Sequence, residues 1–202
     1  DSDISACGIE LFWEDGTPSR MLTKSGSFIF NTEEAMEAVF KESYLIQPVV
    51  YKLYKKDLIK NIKFPVGKYH EDVYWTYKAI ARAKSVSVFD EPCYLYRQRS
   101  GSIMNSNYSL KRLDSIAAQY ERLKFIESDF PKLGSMARVS MWFSCIYTTQ
   151  MLIKYANSDD RKKGIVFVKK ILKTHPIKLN EAKGLPLKQY IWLFIAKISL
   201  KL

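Results

Sequence analysis

The sequence predicts an α/β layer of short strands and helices followed by an all-α helical region. Two observations predict this fold class: the β-favouring runs lie in the first half of the chain, and beyond Tyr108 the pattern changes to long helical periods. The chain has 202 residues, of which 47% are apolar and 14% aromatic. That length and composition suffice for a buried core and exclude wholesale disorder.

The first elements are predicted to be strands. Residues 4–13 are rich in β-favouring side chains, and the Glu-Asp-Gly turn at 14–16 precedes a second strand through 21–22, so a hairpin is expected. A short apolar run follows at 27–30. Asn31 then predicts the N-cap of a helix through Phe40, because Glu33 and Glu34 fall in its first turn.

The middle of the chain alternates between element types. Residues 47–60 place apolar side chains at helical spacing and predict a short amphipathic helix. The Pro/Gly-containing stretch 61–72 predicts a loop that leads into a helix ending at Arg82 or Ala83. Two strands are predicted next, at 85–89 and 93–97, separated by an Asp-Glu-Pro turn.

The second half is predicted to be helical throughout. Four long helical patterns cover residues 109–128, 134–156, 159–174 and 186–200. We therefore predict two domains, 1–108 and 109–202.

Charge is distributed unevenly. Residues 1–101 hold 14 Lys and Arg against 14 Asp and Glu, whereas residues 102–202 hold 18 against 7, so all of the +11 formal charge lies in the second half. Such asymmetry indicates a surface that meets phosphate, either of nucleic acid or of anionic lipid. The three cysteines are widely spaced and predict neither a disulfide framework nor a zinc site.

Glu71 and Asp72 are the strongest chemical candidates. They follow a Pro/Gly loop, open a predicted helix, and stand among Tyr69, Tyr74 and Trp75, whose rings can stack on sugars. Asp72 could deprotonate an acceptor hydroxyl there. The alternative is structural, because acids in a first helical turn also offset the unsatisfied N–H groups and the helix dipole.

Basic residues supply candidate phosphate contacts. Arg97 and Arg99 end a predicted strand above a loop that contains Ser102, and guanidinium groups with loop N–H groups can seat a diphosphate. Lys52 is a further candidate, with Lys55 and Lys56 beside it in sequence. The alternative for each is an ordinary solvated surface.

No metal ligand is assigned to this chain. Asp1 and Asp3 imitate a DxD pair, which would hold Mg²⁺ or Mn²⁺, but the apolar strand follows the pair instead of preceding it.

The last stretch, GLPLKQYIWLFIAKISLKL at 184–202, is interrupted by lysines and is too polar to span a bilayer. Its Tyr, Trp and Phe beside lysines suit a membrane interface, and a core helix is the alternative.

Two runs carry a family resemblance. KLYKKDLI at 52–59 and KFPVGKYHEDVYWTYKAIARAKSVSVFDEPCYLYRQRSGSIM at 63–104, in this order, resemble the C-terminal half of bacterial family two glycosyltransferases of the GT-A fold. The resemblance covers about residues 3–108. It implies a partial GT-A layer that lacks the N-terminal nucleotide-binding half, with KLYKKDLI as a short helix, Asp72 as catalytic base and Glu71 beside it.

The resemblance also implies a function. We expect a fragment of an inverting glycosyltransferase that moves a sugar from a nucleotide-diphosphate sugar to a hydroxyl acceptor in capsule, exopolysaccharide or lipopolysaccharide synthesis. Substrate contacts are expected from Arg97, Arg99, Ser102, Trp75, Tyr69 and Lys52. Mg²⁺ or Mn²⁺ is expected in the full-length enzyme and none bound to this chain, which is expected to be inactive alone.

Partners and location follow as expectations. They are a nucleotide-sugar donor, a glycan or lipid-linked acceptor, an anionic membrane surface, and a second copy of the chain at an exposed sheet edge. Nucleic acid is not expected, and the location is cytoplasmic, peripheral on the inner face of the cell membrane. The rival hypothesis is a non-enzymatic basic module that binds nucleic acid or another anionic partner. A second alternative is a helical scaffold protein that derives from a transferase and lacks activity.

Overall fold

The computed structural model describes residues 1–42, 44–99, 108–182 and 185–199. The chain forms two compact units. The first comprises Asp1–Val66 and Glu71–Ser106, and the second comprises Gly67–His70 and Asn107–Leu202.

The described part of the first unit contains seven short strands and three helices. The strands are β1 (Ile4–Ala6), β2 (Ile9–Trp13), β3 (Arg20–Met21), β4 (Phe28–Phe30), β5 (Lys52–Tyr54), β6 (Val86–Val88) and β7 (Tyr94–Gln98). The helices are α1 (Thr32–Lys41), α2 (Lys56–Ile59) and α3 (Glu71–Arg82).

The strands form two sheets. A four-stranded sheet has the order β4-β6-β1-β5, in which β1 is parallel to β6 and antiparallel to β5. A three-stranded sheet has the order β3-β2-β7, with β2 and β7 parallel. The predicted hairpin is confirmed by the antiparallel pairing of β2 with β3.

The core of the first unit lies between the four-stranded sheet and the helices. Side chains alternate along β1 and β6, so that Ile4 and Val86 are fully buried. Met36 of α1 and Ile80 of α3 are also fully buried, and these two helices pack on each other. The predicted helix starts are confirmed, with Asn31 as N-cap of α1 and Glu71 as the first residue of α3.

The predicted helix over 47–60 is wrong. Residues 52–54 form β5, which pairs with β1 so that Tyr54 stands opposite Ile4. Only the four residues of α2 are helical in this stretch. The physical reason is a pairing between segments about fifty residues apart in sequence, which outweighs the local helical spacing of the apolar side chains.

The second unit is built from helices, as predicted. Its α-helices are α4 (Asp114–Asp129), α5 (Gly134–Tyr155), α6 (Ser158–Thr174) and α7 (Leu187–Ser199). Helix α5 packs against the other three, and its Trp142 and Met141 are buried in the centre. The indole of Trp142 donates a hydrogen bond to the carbonyl of His175 at 2.9 Å, which fixes the chain after α6.

Within the residues that the structure describes, no helix has both the length and the apolar character needed to cross a membrane.

Candidate functional site

Asp72 lies in the first turn of α3, half-buried, and Glu71 before it is exposed. The Asp72 carboxylate accepts a hydrogen bond from the Val73 N–H at 2.8 Å. The first N–H groups of a helix have no partner within the helix, and this contact satisfies one of them. The carboxylate is therefore held at the positive end of the α3 dipole, where its negative charge is favoured.

The segment 46–48 is tied to this helix start. The Gln47 side-chain amide donates to the Asp72 carbonyl at 2.8 Å, and the Thr76 hydroxyl donates to the Gln47 carbonyl at 2.9 Å. Two hydrogen bonds of opposite direction thus link one loop residue to the first two turns of α3. The backbone at Asp72 is fixed by this pair of contacts.

Lys52 also holds the segment 46–48, through its side-chain ammonium. It is only 6% exposed, and its ammonium donates to the carbonyls of Ile46, at 2.7 Å, and Pro48. Burial lowers the pKa of Lys52 well below its ordinary value, and the negative charge of Asp72 opposes that shift. In this arrangement the ammonium holds loop carbonyls and is not presented to solvent, which speaks against the expected phosphate contact.

Tyr51 adds a third anchor to this segment. Its hydroxyl accepts from the Ile46 N–H at 2.7 Å and donates to the Ile46 carbonyl at 2.9 Å. The ammonium of Lys52 also lies 3.9 Å from the centre of the Tyr51 ring. Residues 51 and 52 together hold residues 46–48 in place.

The aromatic residues near α3 are arranged differently from the prediction. Trp75 is buried: the Phe64 ring stacks on it with centroids 4.9 Å apart, and Tyr54 meets it at 5.0 Å in a T-shaped contact. Its indole N–H donates to the Ile62 carbonyl at 3.0 Å. A direct sugar contact by Trp75 would require Phe64 to move, whereas Phe64 itself is 44% exposed.

Tyr54 is a site residue that the sequence did not single out. Its hydroxyl oxygen is buried and lacks a hydrogen-bond partner among the described residues. Burial raises the pKa of this phenol, and the nearby Asp72 charge raises it further. A buried hydroxyl without a partner costs free energy, and in this arrangement its oxygen is not exposed to a ligand. In the sequence, Tyr54 is one of the apolar side chains at helical spacing in residues 47–60, and that spacing indicated only a core role.

The arginines predicted to bind phosphate lie at the end of β7. Arg97 is opposite Phe12 in the parallel β2–β7 pair, and its guanidinium forms a 3.0 Å ion pair with Glu14. Arg99 follows the strand and is exposed. Ser102 lies outside the described residues, so the predicted diphosphate seat stays a prediction.

Tyr69 belongs to the second unit. Its backbone N–H donates to the Asp114 carboxylate at 3.1 Å, and the Lys68 ammonium pairs with the same carboxylate at 3.0 Å. The Lys111 ammonium lies 5.6 Å from the centre of the Tyr69 ring. These contacts join residues 67–70 to the start of α4.

The two acids at the beginning of the chain are engaged in structural contacts. Asp3 accepts from the Lys84 N–H at 2.8 Å and pairs with Lys55 at 3.1 Å, and Asp1 pairs with the same lysine at 3.3 Å. The Lys84 hydrogen bond, with help from Lys55, lowers the pKa of Asp3. Among the described residues there is no group of three or more His, Cys, Asp or Glu side chains that could hold a metal ion.

A protein of known name is similar to part of this chain. Over 71 residues the chain is 34% identical to the glycosyltransferase GlyG of Streptococcus pneumoniae. The aligned part makes up 35% of this chain and 23% of that protein. No protein-family model matches the chain. The similarity supports a relationship to glycosyltransferases and extends over about a quarter of the relative's length.

Proposed function

We propose that this chain is the acceptor-side part of an inverting, nucleotide-sugar-dependent glycosyltransferase, with Asp72 as its catalytic base. The observation that carries the proposal is the local similarity to a glycosyltransferase. The half-buried side chain of Asp72 adds chemical support: its carboxylate accepts from the Val73 N–H, and its backbone carbonyl accepts from the Gln47 amide. A base must be fixed in place to take a proton efficiently, and these contacts fix it.

The proposed reaction is one displacement. Asp72 accepts the proton of an acceptor hydroxyl while that oxygen forms a bond to the anomeric carbon of the donor sugar. The bond from the anomeric carbon to the diphosphate oxygen breaks, and its electron pair leaves with the diphosphate. Attack opposite the leaving group inverts the configuration at the anomeric carbon.

Other residues of the site have supporting roles in this proposal. Glu71, exposed beside Asp72, orients the acceptor. Arg97 and Arg99 offset charge on the diphosphate. The divalent ion expected for the full-length enzyme finds no fitting ligand cluster among the described residues, so no step of this proposal is assigned to it.

The competing explanation for Asp72 is purely structural, since it satisfies the Val73 N–H at the helix start. The substitution Asp72→Asn separates the two roles in the full-length protein. The asparagine carbonyl still accepts the Val73 hydrogen bond, but an amide cannot act as a base. We expect transfer to fall by about 10²–10⁴-fold, with nucleotide-sugar binding and thermal stability retained.

Asp57→Asn is the matched control. Asp57 is likewise in the first turn of a helix, and its exposed carboxylate pairs with Lys60. The control should leave transfer unchanged. Wild-type transfer by Asp72→Asn would refute the assignment of the base.

A further inference from the structure

Helix α7 is apolar on two sides. On one side Leu193 and Ala196 are buried against the rest of the second unit, at 2% and 7% exposure. The residues on the other side are large, apolar and exposed to solvent. This outer stripe consists of Leu187, Ile191, Phe194, Ile195 and Ile198.

The outer stripe is one continuous surface. Its members are spaced by four, three, one and three residues, which places all of them on one face of a helix. Their exposure reaches 74% at Leu187. A contiguous apolar face of this kind marks a surface that meets another apolar phase.

Lysines border the outer stripe on both sides. Lys188 is exposed, follows Leu187 in sequence, and lies on the same side of the helix as Trp192. On the other side the Lys197 ammonium donates to the Ile177 carbonyl at 3.3 Å, which brings the exposed Lys178 next to α7. Apolar side chains flanked by lysines, with the exposed Trp192 beyond Lys188, match the composition of helices that lie in a membrane interface.

The charge of the second unit identifies the kind of partner. All of the chain's net positive charge comes from residues 102–202, and α6 contributes a further exposed group of lysines: Lys162, Lys163, Lys170 and Lys173. A second copy of the chain would bring like charges together around the two stripes, which is unfavourable. An anionic lipid surface satisfies both the apolar stripe and the positive border.

We infer that the outer stripe of α7 is a docking surface for an anionic membrane, with α7 lying in the plane of the interface. The stripe enters the boundary between headgroups and acyl chains, and the bordering lysines meet lipid phosphates. This inference goes beyond the proposed function and does not depend on it.

Vesicle co-sedimentation of the full 202-residue chain tests the inference. Phosphatidylcholine vesicles are compared with vesicles that contain about a third phosphatidylglycerol, between about 0.1 and 0.5 M salt. We expect binding to the anionic vesicles only, and weaker binding at high salt. The double variant Ile191→Ser/Ile195→Ser keeps the charge and should lower partitioning by at least about tenfold.

The matched control is Ile29→Ser/Val66→Ser, which removes two exposed apolar side chains from the first unit and should bind like the wild type. If the α7 variant does not fold, as judged by circular dichroism, Lys178→Gln/Lys188→Gln provides the second test and should lower partitioning by about tenfold or more. Binding of the wild type to neutral vesicles alone would overturn the inference. So would unchanged partitioning of the folded Ile191→Ser/Ile195→Ser variant or, where that variant does not fold, of Lys178→Gln/Lys188→Gln. A wild-type dimer that Ile191→Ser/Ile195→Ser converts to monomer, or tighter binding to duplex DNA than to anionic vesicles, also overturns it.

Discussion

At position 52 a lysine occupies the buried side of a three-residue strand, while Leu53 beside it is 78% exposed. Burying an ammonium group costs free energy unless hydrogen bonds replace its water shell. Here the carbonyls of Ile46 and Pro48 and the face of the Tyr51 ring replace part of it. Lys52 thereby fixes the loop whose Gln47 holds the Asp72 backbone.

Replacing this ammonium should weaken the fold. Lys52→Met keeps most of the side-chain volume but removes the ammonium that donates to the Pro48 carbonyl. The Ile46 carbonyl loses one of two donors and keeps the Tyr51 hydroxyl. We expect the free energy of unfolding at pH 7 to fall by about 1–3 kcal/mol, the cost of a buried acceptor that loses its partner. Urea unfolding followed by tryptophan fluorescence measures it, and equal or greater stability of the variant would contradict the anchoring role.

The free energies of unfolding of the wild type and of Lys52→Met should also depend differently on pH. Because burial lowers the pKa of Lys52 below its unfolded value of about 10.4, the unfolded chain binds more protons at pH values between the two. Stability conferred by this group therefore increases as pH rises through that window. The free energy of unfolding should rise more for the wild type than for Lys52→Met on going from neutral pH toward pH 10.

Among the elements, α1 has the most completely satisfied start. The Asn31 side chain accepts from the Glu34 N–H at 3.0 Å, and the Glu34 carboxylate accepts from the Asn31 N–H at 2.9 Å, which is a capping box. The next residue, Thr32, donates its hydroxyl to the Ala83 carbonyl at 2.6 Å, beyond the end of α3. The cap therefore fixes the start of α1, and Thr32 beside it joins α1 to the residue that follows α3.

Removal of the cap should be measurable in the intact chain. Asn31→Ala deletes the acceptor for the Glu34 N–H, and we expect a loss of about 1 kcal/mol in the free energy of unfolding. Asn31→Ser retains an acceptor oxygen and should recover most of that loss. Chemical denaturation of the three proteins side by side measures both effects, and equal stability of the alanine and serine variants would argue against the cap.

The elements whose signals are local could be predicted from the sequence. The Asn31 cap, the acids that open α3 and the helical periods of α4 to α7 are signals within single segments, and the helices that they predict are present. Strand β5 could not be predicted, because it depends on β1 about fifty residues earlier and buries Lys52 while exposing Leu53. Its polarity is the reverse of what hydropathy indicates.

The residues of the candidate site likewise fall into those that could be predicted from the sequence and those that could not. The position of Glu71 and Asp72 at the start of α3 could be predicted, because helix starts have a local signature. Gln47, Tyr54 and Phe64 were missed, since their proximity to α3 arises from tertiary packing that no spacing in the sequence reveals. Trp75 carried an aromatic signal, but the sequence could not show that Phe64 and Tyr54 cover its ring.

On the scale of the whole molecule, each of the two units has its own fully buried side chains. Ile80 of α3 is fully buried in the first unit, and Leu123 of α4 is fully buried in the second. Because the buried side chains of each unit are close-packed, a cavity should first lower the local stability of the residues that line it. The two units are therefore expected to open as distinguishable cooperative regions.

Paired cavity variants test this expectation. Ile80→Ala and Leu123→Ala each remove several buried carbon atoms, and each should cost about 2–5 kcal/mol of local stability. In hydrogen exchange followed by mass spectrometry, Ile80→Ala should accelerate exchange in peptides from β1, β6 and α1. Leu123→Ala should accelerate it in α4 and α5. If either variant accelerated exchange equally in both sets of peptides, the chain would unfold as one cooperative body, and the Lys52 and Asn31 variants would then report on the stability of all its residues together.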